Sequence, residues 1–507
     1  MSLQQNASDP LVKLDTRLTT NVVDVLKSPG YLLIDGEFVP AASGRVFDVI
    51  NPSNERVIAT VAEADAEDVD RAVKAARHAF DDAAWGRMPP AERGKMMWRL
   101  ADLIEQHAED FAQLDSLDNG KPVAAARAGD VPIAVGVFRY YAGWATKITG
   151  ETNTLSWPGD WLAYTRREPV GVVAQIIPWN FPLVSAAWKL APALATGNTV
   201  VLKTAEQTPL SAILLSRLIV EAGFPRGVVN ILSGFGERAG AAMAAHAGVD
   251  KISFTGSTAV GRSILRAAAD NLKKVTLELG GKSPVLVFDD ADLDLTIPGV
   301  AQAIFANQGE VCTAGSRLYI HERIFDRVVE GVAEIANKLK LGDGMKEDTQ
   351  MGPLVSKEQL QRVSSYVDVG RKEGAELIAG GKRVGDLGYF MAPTVFANAT
   401  PGMRIVREEI FGPVVCAMSF KAEDVGAVVA EANDTPYGLA ASVWSRNVSM
   451  AHKVAHRLRA GSVWINCHTV IDPAQTFGGF KQSGWGRELG EEALHSYTEV
   501  KAITAQL

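Results

Sequence analysis

Between about residues 172 and 277, short β-branched apolar runs alternate with longer alanine-rich amphipathic ones, and this rhythm restricts the fold more than anything else in the chain. Strands are expected at 172–177, 199–202, 228–232, 251–254 and 275–277, with helices at about 209–222, 237–246 and 258–270 between them. A parallel sheet with crossover helices follows. A second alternating block, from about 283 to 480, has strand candidates at 285–288, 317–320, 414–418 and 462–466, which implies a second α/β domain. The polar, alternating stretch at 147–168 fits neither block and is expected to protrude as a hairpin.

A chain of 507 residues, 47% hydrophobic and 22% charged, is long enough for two or three domains around a water-excluding site. Net charge is −8 with Lys and Arg scattered, which argues against nucleic acid and anionic membrane as partners and leaves small molecules. The three cysteines, Cys312, Cys416 and Cys467, are too few and too far apart for a disulfide framework or a zinc site, so no metal is expected and a reducing compartment fits. The opening residues have neither a basic nor an apolar targeting segment, and no run of about 18 apolar residues occurs anywhere. The expected location is the cytoplasm.

Chemistry-bearing residues stand where these elements end. Cys312 lies between Gly309 and Gly315, so the backbone beside its sulfur can approach a substrate closely, although a lone cysteine more often packs a core. Glu278 closes an apolar strand and precedes two glycines, a place from which a carboxylate can emerge into a cleft as a base. In Pro178-Trp-Asn-Phe-Pro182 two prolines hold the Asn180 amide, which suits either an oxyanion donor or the cap of the helix beginning near Leu183. Lys203 and Glu206 follow a strand and could meet sugar hydroxyls or only solvent. Gly256 and Ser257 occupy a strand-to-helix turn suited to phosphate. Gly234, Gly236 and Gly240 miss the usual dinucleotide spacing by one residue.

Taken together in order, Pro178-Trp-Asn-Phe-Pro182, Lys203 with Glu206, Phe254-Thr-Gly-Ser257, Glu278-Leu-Gly-Gly281, the Cys312 segment, Glu409-Ile-Phe-Gly-Pro413 and Phe477-Gly-Gly-Phe-Lys481 resemble the NAD(P)-dependent aldehyde dehydrogenase superfamily from about residue 30 to the C-terminus. The resemblance implies an α/β fold: an N-terminal extension at 1–30, a Rossmann-like NAD-binding domain at 31–146 and 169–281, and a catalytic domain at 282–486. An oligomerisation element at 147–168 and 487–507 would build a homodimer or homotetramer. It makes Cys312 the nucleophile, Glu278 the general base, Asn180 the oxyanion donor, and Lys189 with Glu488 a proton relay. Cofactor contacts would come from Ile176, Pro178, Trp179, Lys203, Glu206, Gly236, Gly240, Phe254, Gly256, Ser257, Leu279, Glu409 and Phe411. The Glu206 carboxylate favours NAD over NADP, whose extra phosphate it repels, though some relatives with Glu here accept both.

By the same match Phe138, Phe181, Val184, Trp188, Val311, Thr313, His468, Ile471 and Phe477 surround the aldehyde tunnel. These residues are mostly apolar and aromatic and offer no cation for a phosphorylated aldehyde. The segment 466–472 resembles that of phenylacetaldehyde dehydrogenases, which points to an arylalkyl aldehyde. Phe477 stands where betaine aldehyde enzymes usually carry Trp, weakening a cage for a quaternary ammonium. Glu278 argues against a coenzyme A-acylating enzyme, and the full set of motifs argues against a non-catalytic scaffold or a cofactor-free thiol hydrolase.

Overall fold

The structure, a computed structural model, describes residues 18–28, 30–421 and 424–507. Its larger sheet has eight strands in the order Gly484–Trp485, Lys274–Glu278, Lys251–Thr255, Val172–Ile176, Thr199–Lys203, Val229–Leu232, Leu32–Ile34, Glu37–Val39. The five central strands are parallel, and Val172–Ile176 and Thr199–Lys203 are buried along their whole length. Continuous burial is why these segments read as unbroken apolar runs. The helix Pro182–Ala195, covering this sheet, is also buried on nearly all sides and starts with Pro182, where a missing N–H costs nothing.

The second sheet has seven strands, ordered Glu376–Ala379, Thr394–Ala397, Val414–Phe420, Arg317–His321, Pro284–Val287, Ala440–Trp444, Ser462–Ile465, and is parallel except at its first pair. A three-stranded antiparallel sheet joins Thr498–Gln506, Trp161–Pro169 and Thr152–Asn153. The expected α/β class is therefore seen, and 147–168 holds the expected hairpin, Thr152–Asn153 antiparallel to Trp161–Pro169.

The helix expected at about 237–246 is present, its first turn Gly236–Gly240 π-wound and Ala241–Ala245 α-helical. Two boundaries differ from expectation. The strand Gly484–Trp485, expected within the catalytic unit, pairs with Lys274–Glu278 and so completes the first sheet. Residues 1–17 of the expected extension lie outside the described residues. Its remainder is not loose: Thr20–Lys27 is a helix capped by Thr19, and Val22, Val25 and Leu26 are buried in the largest apolar cluster. Among the described residues no helix is long and apolar enough to cross a membrane.

Candidate active site

The chain crosses from one sheet to the other directly after Glu278, through Leu279-Gly-Gly281, before entering Pro284–Val287. A cavity of about 620 Å³ opens beside this crossing. Cys312, Glu278 and Asn180 all line it, together with Glu488 and Glu409. The turn before Cys312 is wound against preference: Asn307, Gln308 and Gly309 have φ of 47°, 58° and 70°. Such backbone persists only where the surroundings over-determine it, and functional sites are where it gathers. A Cβ on Gly281 would run into the Cys312 carbonyl, so this approach requires glycine.

The Cys312 thiol is half-buried. Its pKa is pushed up to about 12, first by burial and then by the charges of Glu278 and Glu409. Glu278 is buried with neither carboxylate oxygen hydrogen-bonded. Burial, then the like charge of Glu488, holds its carboxyl well above the usual range, with Lys189 and Arg487 opposing. Burial and mutual repulsion thus disfavour two anions side by side in the resting site. Behind them Lys189 Nζ pairs with the Glu488 carboxylate and donates to Ser253 Oγ at 3.1 Å.

Asn180 donates one amide N–H to the Glu310 carbonyl at 2.8 Å, which fixes the roll of the side chain. It does not cap the following helix, whose N-cap position is Phe181 and lacks a side-chain bond. Trp179 stands edge-on to Phe411, ring centres 5.2 Å apart, and Phe411 itself has φ 61°. Glu409 accepts the Gly281 N–H at 2.9 Å, and burial raises its pKa. Pro178, Gly256, Ser257 and Leu279 complete this end of the cavity, with Gln359 and Arg362, which the sequence reading missed. Ile176, Lys203, Glu206, Gly236, Gly240 and Phe254 lie off the cavity walls, at the neighbouring strand ends. There a Cβ on Gly240 would touch Lys203 and Ile176 at 3.7 and 3.8 Å, and Phe254 supports Gly256 from below. Lys203 Nζ reaches Glu206 at 3.4 Å.

At the other end Phe181, Val184, Trp188, Val311, Thr313, Ile471 and Phe477 line the cavity as expected, joined by Asp130, Ile133, Ser185, Leu439, Thr469 and Val470. Two expected residues do not. Phe138 is fully buried in the core, because it lies on the far side of its helix from Ile133. His468 is turned away and braces the turn after Cys312: Nε2–H donates to the Thr313 carbonyl at 2.8 Å, and Nδ1 accepts from Ser442 Oγ at 2.9 Å. Burial lowers its pKa to about 4, so it stays neutral. Cys416 is buried with its thiol on the Ile405 carbonyl.

Residues 38–503 match the model of the aldehyde dehydrogenase family. The chain belongs to this family. An NAD⁺ complex of aldehyde dehydrogenase from Bacillus cereus superposes with a TM-score of 0.95 at 52% identity, covering 97% of this chain and 99% of that one. A betaine aldehyde dehydrogenase of Staphylococcus aureus in complex with NAD⁺ gives 0.93 at 42% identity, over 96% and 97%. A mitochondrial benzaldehyde dehydrogenase of Antirrhinum majus is 50% identical over 477 residues, 94% of this chain and 89% of that protein. The protein is an NAD-dependent aldehyde dehydrogenase, oxidising aldehydes to acids. Its residues suit the dinucleotide. Ser257 caps the helix Thr258–Ala268, whose dipole favours phosphate, Gly236 leaves open space where a side chain would stand, and the partly exposed Glu206 carboxylate offers an acceptor for ribose hydroxyls.

Proposed function

We propose that the preferred substrate is an aromatic or arylalkyl aldehyde such as phenylacetaldehyde, oxidised through a thiohemiacetal and a thioester on Cys312. The convergence of Cys312, Glu278 and the Asn180 amide on one cavity carries the mechanism. The Cys312 thiol gives its proton to water, and the sulfur bonds to the aldehyde carbon as the C=O π pair moves to oxygen. The carbonyl oxygen becomes an oxyanion held by the second Asn180 N–H and the Cys312 backbone N–H. Bound NAD⁺ accepts the hydride that leaves this carbon. Glu278 then takes a proton from water, which attacks the thioester and releases the carboxylate as the C–S bond breaks. Glu488 and Lys189, behind Glu278, carry the proton away.

The aryl preference is supported by the Phe181, Val184, Trp188, Ile471 and Phe477 walls, with Trp188 edge-on to Phe477 at 5.1 Å. Asp130 at that end is matched by Lys121 at 2.5 Å, and among the described residues lining the tunnel walls none is a Lys or Arg free to meet an anionic substrate. The likeness to a benzaldehyde dehydrogenase points the same way. A second reading, betaine aldehyde, is favoured by the same aromatic rings, which can face a quaternary ammonium. Glu206 supports NAD over NADP, and the three-stranded sheet supports a homodimer or homotetramer.

The test is NADH formation from NAD⁺ with phenylacetaldehyde, benzaldehyde, hexanal, betaine aldehyde and succinic semialdehyde, with NADP⁺ and Cys312→Ala in parallel. Phenylacetaldehyde or benzaldehyde should turn over fastest, and Cys312→Ala should abolish it; a lead for betaine aldehyde selects the second reading. Asn180→Ala should lose about 10²–10³ in turnover while still binding NAD. Turnover near wild type would refute the oxyanion role.

A further inference from the structure

The loop that carries Asn180 is held by its backbone, from residues distant in sequence. Asn119 Nδ2 and Thr208 Oγ1 donate to the Trp179 carbonyl at 3.1 and 3.2 Å. The Asn180 carbonyl accepts from Asn307 Nδ2 and from Lys121 Nζ, both at 3.1 Å. Lys121 is 2% exposed, and its ammonium is gripped on two further sides: Asp130 Oδ2 lies at 2.5 Å and the centre of the Phe181 ring at 4.3 Å. Its Nζ donors are thus spent on a carboxylate, a carbonyl and an aromatic face, leaving it one geometry. The carboxylate is aimed there by the π-turn Ala126–Asp130, whose extra residue per turn displaces Asp130 from the regular helical face. The remaining charged neighbours, Asp115, Asp118 and Glu310, are all buried acids.

We propose that Lys121, locked by Asp130 and Phe181, is a positioning residue of the oxyanion hole: by holding the Asn180 carbonyl it fixes the aim of the Asn180 side-chain amide. This rests on the reading of Asn180 as oxyanion donor. Lys121 does not line the cavity. Its effect passes through the carbonyl of Asn180, two residues before the helix start at Pro182, where a misplacement of about 1 Å costs on the order of 10²-fold in rate.

The experiment is a double-mutant cycle on the full-length enzyme with the aldehyde turned over fastest in the panel above. Lys121→Met should lower kcat and kcat/KM together by about 10²-fold, with NAD affinity and thermal midpoint near wild type. Lys121→Arg, which keeps charge and donors, should recover at least about tenfold of that loss. In an Asn180→Ala background Lys121→Met should add less than about threefold, because the amide it aims is gone. Should Lys121→Met fail to fold, Asp130→Asn, which loosens the grip on Lys121, replaces it in the same cycle with a smaller loss that again vanishes beside Asn180→Ala. A loss that persists in full in the Asn180→Ala background, or that tracks NAD affinity, overturns the positioning role alone. Undiminished turnover of Asn180→Ala itself overturns the oxyanion reading and the proposal with it.

Discussion

A carboxyl that acts as a base has to be charged, and Glu278 sits where charge is least favoured, buried and without a hydrogen bond. Its raised pKa means that deacylation should quicken as pH rises above the usual carboxylate range. Glu278→Gln should keep the first-turnover burst of NADH but lose about 10²–10⁴ in steady-state rate, and lose that rise with pH. A variant without a burst would place Glu278 in the hydride step instead. The same shift bears on stability with a definite sign. Between the unfolded and folded pKa values the native state binds more protons than the unfolded one, so this group's contribution is present at low pH and fades as pH rises through the folded pKa. Glu278→Gln should therefore be more stable than wild type at alkaline pH, and thermal midpoints at pH 5 and pH 8 check it. Glu278, Cys312 and Asn180 were legible in sequence because each stands in a distinctive local setting of glycines or prolines. Lys121 and Asp130 were not, because what singles them out is contact with a loop 59 residues from Lys121.

Elements read well where burial is continuous and badly where they are short. Thr199–Lys203 has all five residues buried and was found to within a residue. Gly484–Trp485 is two residues long, only Gly484 is buried, and nothing local marks it, yet it is the edge against which Glu278 is set: Leu277 pairs with Trp485, Glu278 with Gly484, and Leu279 N–H bonds to the Ser483 carbonyl at 2.9 Å. Gly484 has φ 123°, and a Cβ there would run into the Leu277 carbonyl. Gly484→Ala should part the two strands, lowering stability by about 2–4 kcal/mol through backbone strain and lost pairing. Because the strand end carries Glu278, steady-state turnover should fall more than the NADH burst. An unchanged thermal midpoint would show that the edge absorbs the methyl without moving. The alanines of 237–246 announce a helix and it forms, but its first turn, Gly236–Gly240, is π-wound where Gly240 passes Lys203, and nothing in the sequence marks that winding.

At the scale of the molecule the three-stranded sheet is the part that the two larger sheets do not explain. Thr498–Gln506 pairs with Trp161–Pro169 along nine residues and is itself an edge strand, its other side unpaired among the described residues. Trp157, Leu162, Val500 and Leu507 are 70%, 43%, 56% and 80% exposed around it. An open edge with apolar side chains invites another chain, as the family resemblance expects of this element. The strand is also rooted near the chemistry. Glu488, which pairs with Lys189, lies ten residues before it, and the Tyr497 carbonyl just ahead of it accepts from Asn198 Nδ2 at 2.9 Å and the Val170 N–H at 3.2 Å. Assembly and activity should therefore fail together. Sedimentation of the full chain should give a multiple of 54.2 kDa, and a chain ending at Thr498 should run as a monomer with reduced turnover, because the helix Glu492–Ser496 loses the sheet that anchors it. A full-length monomer at micromolar concentration would exclude the edge as an interface. An assembled truncation would move the interface elsewhere, and a monomeric truncation with full turnover would show that the Glu488–Lys189 pair is held without the strand.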